Sequence, residues 1–176
     1  EGWSDAIGIL VNSYFTNPTE EFAQYSGKYI VFDYSNIRPE GALISGGFKA
    51  PGPKGLARSI EKIREVLNAR LAQDLSVGEF ANKLRPIDAY DIIMHSSDAV
   101  LSGGVRRSAT LSLFSVDDYE MINAKTGDWF IKNPQRGRSN NSAALLRSTT
   151  TRDQFSTLMK SAREFGEPGF IWLDDA

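Results

Sequence analysis

From residue 109 onward, short strand-like runs alternate with segments of helical period, and this alternation constrains the fold more than any other feature of the chain. Ala109–Phe114 alternates as a strand, Val116, Tyr119 and Ile122 follow at helical spacing, and Ser142–Leu146 reads as a strand again. Phe155, Leu158, Met159, Ala162 and Phe165 then mark a helix closed by Gly166, and Phe170–Leu173 is a further strand. Strands separated by helices favour a parallel sheet with right-handed crossovers, so the fold class is α/β. Ser115 with Asp118 reads as a capping box opening the helix between the first two of these strands.

Upstream the pattern is mostly helical. Trp3, Ala6, Ile7, Leu10, Val11 and Tyr14 predict an amphipathic helix over 3–14, while Leu56, Ile60, Ile63, Leu67 and Leu71 predict a second. Ile87, Tyr90, Ile93, Met94 and Leu101 predict a third, opening near Pro86 and stopped by Gly103-Gly104. Tyr29–Phe32 is a short aromatic and β-branched run that predicts a buried strand. Between it and the second helix, Arg38–Lys54 holds Pro39, Gly41, Gly46, Gly47, Pro51, Gly52 and Pro53, too long and glycine-rich for a simple turn.

Twenty Lys and Arg against 22 Asp and Glu leave a net charge of −2 over 176 residues, too balanced for a nucleic-acid coat or for docking on an anionic membrane. Any basic site must be local. With no cysteine, a disulfide or a thiolate zinc site is excluded. No uncharged apolar run reaches the roughly 20 residues of a membrane span, which makes the cytoplasm the default location. The chain opens at Glu1 and stops just after a strand, so residues 1–176 read as a single segment of one domain, incomplete at both ends.

Ser102-Gly103-Gly104-Val105-Arg106-Arg107-Ser108 is the strongest local feature. Paired glycines permit close backbone approach, and two arginines offer planar donor forks to a phosphate or a base edge. A glycine helix stop followed by two solvated arginines explains the same residues. The Arg38–Lys54 loop sets backbone amides beside Arg38, Lys49 and Lys54, and serves equally as a structural surface loop. Lys132, Arg136 and Arg138 precede Ser139-Asn140-Asn141-Ser142, whose side-chain amides either pin a neighbouring loop or sit on a solvated face. His95, the one histidine, has no cysteine or carboxylate cluster to make it a metal ligand. Asp88 with Asp91, and Asp117 with Asp118, read as helix-start charges, and Trp129 and Trp172 as core.

Several spaced motifs occur in one order: Ile37-Arg38-Pro39-Glu40-Gly41, Gly46-Gly47-Phe48-Lys49-Ala50-Pro51-Gly52-Pro53, Arg85-Pro86-Ile87-Asp88, Ser102 to Ala109, Asn133-Pro134-Gln135-Arg136 and Ser139-Asn140-Asn141-Ser142. Across nearly the whole chain this order resembles ribonucleotide reductase large chains, most of all the adenosylcobalamin-dependent (class II) branch. The resemblance implies part of the first half of a ten-stranded α/β barrel. It also implies thiyl-radical reduction of ribonucleotides to 2′-deoxyribonucleotides, with no catalytic cysteine and no metal ligand in this segment.

The same resemblance assigns Arg38, Ile44, Ser45, Gly46, Gly47 and Lys49 to specificity loop 1, which helps to hold a deoxynucleoside triphosphate effector. It assigns Ser102, Gly103, Gly104, Val105, Arg106, Arg107 and Ser108 to loop 2, which relays the effector's identity to the substrate base. Asn140 and Asn141 become candidate polar contacts at a strand mouth. Ser102 stands where diphosphate-reducing relatives often have Gln, and Arg107 where they often have Gly. The implied partners are a ribonucleotide substrate, the effector and a thioredoxin-like or other dithiol reductant, with neither nucleic acid nor membrane, in a complete enzyme that is a monomer or homodimer and binds adenosylcobalamin. Two other readings remain: a non-catalytic nucleotide-binding regulatory module, and a class I large subunit served by a separate radical-generating protein.

Overall fold

The structure is a computed structural model that describes residues 2–73, 83–102, 104 and 107–174. It divides into two compact units, at the junction of Ser108 and Ala109.

The first unit is helical. Helix α1 spans Gly2–Ser13, α2 Lys54–Leu71 and α3 Pro86–Leu101, each within a few residues of the range its apolar period predicts. Leu10 of α1, Leu56, Ile60, Ile63 and Leu67 of α2 and Ile92 of α3 form one buried cluster. Each such aliphatic side chain removed from water contributes about 1.5–3 kcal/mol, which makes this seam the main reason the helices stay together. The Tyr14 hydroxyl adds a 2.7 Å hydrogen bond to Asn68 Oδ1, tying the end of α1 to α2.

The strand expected at Tyr29–Phe32 does not form. The backbone there pairs with no strand among the described residues, and Tyr29 and Val31 are 81% and 80% exposed. The physical reason lies on α2: Arg64 donates from Nη2 to the Ile30 carbonyl at 2.7 Å and sets its guanidinium 5.0 Å from the Tyr29 ring centre. A side chain thus takes an acceptor that a neighbouring strand would use. Phe32, Tyr34 and Ile37 instead pack as isolated anchors against the helical core.

The second unit is a three-stranded parallel sheet. Strand β1 spans Thr110–Ser115, β2 Ser139–Leu146 and β3 Gly169–Leu173, in the spatial order β1-β2-β3, with Leu113 opposite Ser142 and Ser142 opposite Gly169. Two one-turn helices, α4 (Tyr119–Ile122) and α5 (Trp129–Lys132), join β1 to β2, and α6 (Arg152–Phe165) joins β2 to β3. The α/β class is therefore observed. The cap of α4 differs from the expectation, because the Asp118 carboxylate itself accepts from the Met121 amide at 2.9 Å, while Ser115 Oγ reaches only the Asp117 amide. Asp118 is the N-cap, and the helix ends after one turn.

Register and burial separate the two faces of this sheet. Phe114, Ala143 and Phe170 stand side by side on one face, where Phe155 of α6 lies 5.3 Å from the Phe170 ring and 5.8 Å from that of Trp172. The opposite face carries Leu111, Leu113, Ala144, Ile171 and Leu173, with Leu111 and Leu113 61% and 55% exposed. One face is covered by a helix and the other is open. Among the described residues, no helix is long and apolar enough to cross a membrane, and no group of side chains has metal-ligand character.

Candidate functional site

Residues 38–54 fold as a hairpin-like loop, not as an irregular one. The Leu43 and Lys49 backbones form an antiparallel bridge, the Ala50 amide donates to Ala42 O at 2.7 Å and the Ile44 amide to Phe48 O at 2.9 Å. A 3-10 turn over Ser45–Gly47 closes the tip. Gly46 and Gly47 take φ of 82° and 77°, a region that side-chain-bearing residues rarely adopt, and the Phe48 ring lies over Gly46 where a Cβ would sit. Arg38, Ser45, Lys49 and Phe48 are exposed, and Ile44 is half-buried. The loop therefore presents two cations, a glycine tip and an open aromatic face on one ordered element. Phe48 was not singled out by sequence reasoning, and its signal was an aromatic residue directly after the paired glycines.

The base of this loop is fixed at both ends. Ile37 packs against the helical core before it, and Leu56 is buried in the same core after it. At Gly52, whose φ is 71°, a Cβ would meet the Glu40 amide nitrogen at 3.0 Å, so the two arms touch through backbone. Lys54 Nζ reaches Glu40 Oε2 at 3.3 Å, an exposed pair that adds little stability.

The first turn of α2 then meets the end of α3. A Cβ built on Gly55 would overlap the Cβ and Oγ of Ser102, well inside the 3.0 Å that real Cβ atoms keep clear. Ser102 is the C-cap of α3 and the first residue of the second glycine loop, and its Oγ donates to Ala99 O at 2.7 Å. Gly104 follows with φ of 68°, Arg107 is exposed, and Ser108 Oγ lies 3.2 Å from Oγ of the buried Ser97. The loop is thus anchored to α3 at both ends. Gly103, Val105 and Arg106 lie outside the described residues.

The two asparagines of β2 part company. Asn141 is buried on the helix-covered face, while Asn140 is exposed and aligned with Leu111 on the open face. Strand alternation sets their side chains on opposite faces of the sheet. The neighbouring basic residues have local structural partners: Lys132 pairs with Asp128 at 3.1 Å and Arg136 donates to Ala124 O at 2.8 Å. Sequence reading passed over Lys125, which is buried, donates to Ser139 O, pairs with Glu167 at 2.9 Å and lies over the Trp129 ring. This ties the start of β2 to the segment that enters β3.

Arg85 and Asp88 form a capping box at the start of α3. His95 is half-buried on that helix, and burial pushes its imidazole below the ordinary histidine value, more than Asp91 and Asp98 raise it.

Comparison with curated proteins gives matches over 99% of this chain to adenosylcobalamin-dependent ribonucleoside-triphosphate reductases. The reductase of Lacticaseibacillus paracasei is 35% identical over 177 residues, that of Lactobacillus delbrueckii subsp. bulgaricus 35%, and that of Lactobacillus leichmannii 34%. The chain is a homologue of one stretch of these reductases. It spans 21% of the length of each relative, so the matched stretch carries both glycine loops, α1 to α3 and the parallel sheet. No family model and no solved structure matches the chain.

Proposed function

We propose that this chain is the effector-reading segment of an adenosylcobalamin-dependent ribonucleotide reductase, which replaces the ribose 2′-hydroxyl by hydrogen at the expense of a dithiol. The balance is one ribonucleotide and one dithiol giving a deoxyribonucleotide, a disulfide and water. The single observation that carries this reading is homology over 99% of the chain to one stretch, 21% in length, of reductases of that name, and the relatives' triphosphate designation favours ribonucleoside triphosphates as substrates.

Within this reading, the loop of residues 38–54 holds the deoxynucleoside triphosphate effector. Arg38 and Lys49 attract the phosphates, the Ser45-Gly46-Gly47 tip allows close backbone approach, and Phe48 offers its exposed ring to a base. Residues 102–108, which contain Arg106 and Arg107, read the substrate base, with Ser102 as the C-cap at which this stretch leaves α3. The open sheet face of Leu111, Leu113 and Ile171 becomes the inner wall of a ten-stranded barrel, which places Asn140 on the substrate side and Asn141 in the helical layer.

The cofactor implied is adenosylcobalamin. The described residues do not fit it: the chain has no cysteine for radical transfer, and its one imidazole, His95, is half-buried on α3. The part played by this segment is nucleotide recognition. In the full-length protein, with adenosylcobalamin as the sole radical source and a dithiol present, ribonucleoside triphosphates are expected to yield 2′-deoxy products. Tight nucleotide binding without turnover would instead mark a regulatory module.

A further inference from the structure

We propose that Gly55 is a positioning residue that joins the effector loop to the substrate-reading loop by packing its bare backbone against the Ser102 side chain. This rests on the effector-reading role proposed above. The observation behind it is an unusual one for a helix. Gly55 sits in the first turn of α2 without a positive φ, so its backbone accepts alanine, and alanine favours helix more than glycine does. What excludes a side chain is Ser102, whose Cβ and Oγ occupy the space a Gly55 Cβ needs. A serine Cβ is fixed by its own backbone, so the collision is not relieved by a rotamer change.

Both neighbours of this contact belong to the loops. On the α2 side, Gly52 abuts the Glu40 backbone, which holds the base of the 38–54 loop against the chain that enters α2. On the α3 side, Ser102 is where the helix ends, its Oγ caps Ala99 O, and the next described residue, Gly104, has left the helical region. A shift of the effector loop therefore presses directly on the Ser102 side chain, at the origin of the second loop. A close contact of this kind transmits displacement because packed atoms resist compression.

The test uses the full-length protein and measures substrate competition with and without each deoxynucleoside triphosphate, beside equilibrium binding of the effector. In Gly55→Ala, effector affinity is expected to stay unchanged while the effector-dependent shift in substrate preference falls by about fivefold or more. Ser102→Gly empties the same contact and is expected to weaken the shift even if Gly55→Ala fails to fold. Combining Gly55→Ala with Ser102→Gly refills the space from the other side and is expected to restore the shift. A wild-type protein with no effector response overturns the effector-reading role itself, and the relay with it. A wild-type response shared undiminished by Gly55→Ala or Ser102→Gly overturns the relay alone, as does failure of the double variant to recover.

Discussion

The Asp88 carboxylate takes three hydrogen bonds from Arg85: from its backbone amide at 3.0 Å, from Nε at 3.0 Å and from Nη2 at 2.7 Å. Asp88 is 6% exposed, and Arg70 of α2 brings a second guanidinium to 3.7 Å while donating to the Lys83 carbonyl at 2.9 Å. The motif Arg85-Pro86-Ile87-Asp88 thus starts α3 and fastens it to α2. Removing one partner of a buried pair leaves the others uncompensated. Asp88→Ala is expected to cost about 3 kcal/mol, read as lost hydrogen-exchange protection along α3 in the full-length protein. An unchanged exchange pattern would show the triad to be ornamental.

The open face of the sheet makes a separate prediction. Among the described residues, Leu111 and Leu113 on β1 and Ile171 on β3 are exposed, and β1 and β3 are the edges of the three-stranded sheet. Produced alone, residues 1–176 are expected to self-associate and to bind a hydrophobic dye. Size-exclusion chromatography with dye titration checks this, and a monomer with a sharp cooperative melt and no dye binding would contradict the barrel placement.

His95 supplies a pH dependence whose sign is fixed. Because burial lowers the folded-state pKa of its imidazole below the ordinary 6.5, the unfolded chain binds the proton more readily. The stabilisation from neutral His95 is present above pH 6.5 and is lost as the pH falls through the folded value. The Asp91 and Asp98 carboxylates oppose the shift, as does Glu65, while Lys62 adds to it. Urea unfolding of wild type and His95→Gln at pH 7.5 and pH 5.5 is expected to show a larger acid loss in the wild type, and equal losses would refute the burial effect.

Helix α6 is bounded by two local signals of known weight. Thr151 Oγ1 accepts from the Gln154 amide at 3.2 Å, and the Gln154 side chain answers by accepting from the Thr151 amide at 2.8 Å. At the other end Gly166 holds φ of 79°. Thr151→Ala and Gly166→Ala are each expected to cost about 1 kcal/mol, and their sum should be additive because they stand at opposite ends of the helix. Denaturant midpoints of the single and double variants check both statements.

How far the sequence revealed this molecule depended on whether the signal was local. The period of Leu56, Ile60, Ile63 and Leu67 predicts α2 because one helix face meets one core, and Gly166 marks the end of α6 through its own φ. Tyr29–Phe32 misled because strand propensity does not say whether a partner exists, and Arg64, 34 residues from the Ile30 carbonyl it engages, settled the matter. Asn140 and Asn141 looked like a pair until the strand's alternation set them on opposite faces. The Gly55 contact with Ser102 joins residues far apart in sequence, and a glycine in a helix start was the only trace it left. For the glycine loops, order of motifs carried more than composition, since Arg38 and Lys49 taken alone are ordinary surface cations.

Central to all of this is the claim that the second glycine loop reports the effector to the substrate, and Arg106 is the residue on which that claim is most exposed. The decisive measurement is competition among the four ribonucleoside triphosphates, with and without each deoxynucleotide effector, in the full-length wild type and in Arg106→Ala. The expected result is intact effector binding with an effector-dependent preference reduced by a coupling energy of about 1–3 kcal/mol. A solvated arginine would alter stability by less than roughly 0.5 kcal/mol and leave every ratio as it was, and unchanged ratios would contradict the relay.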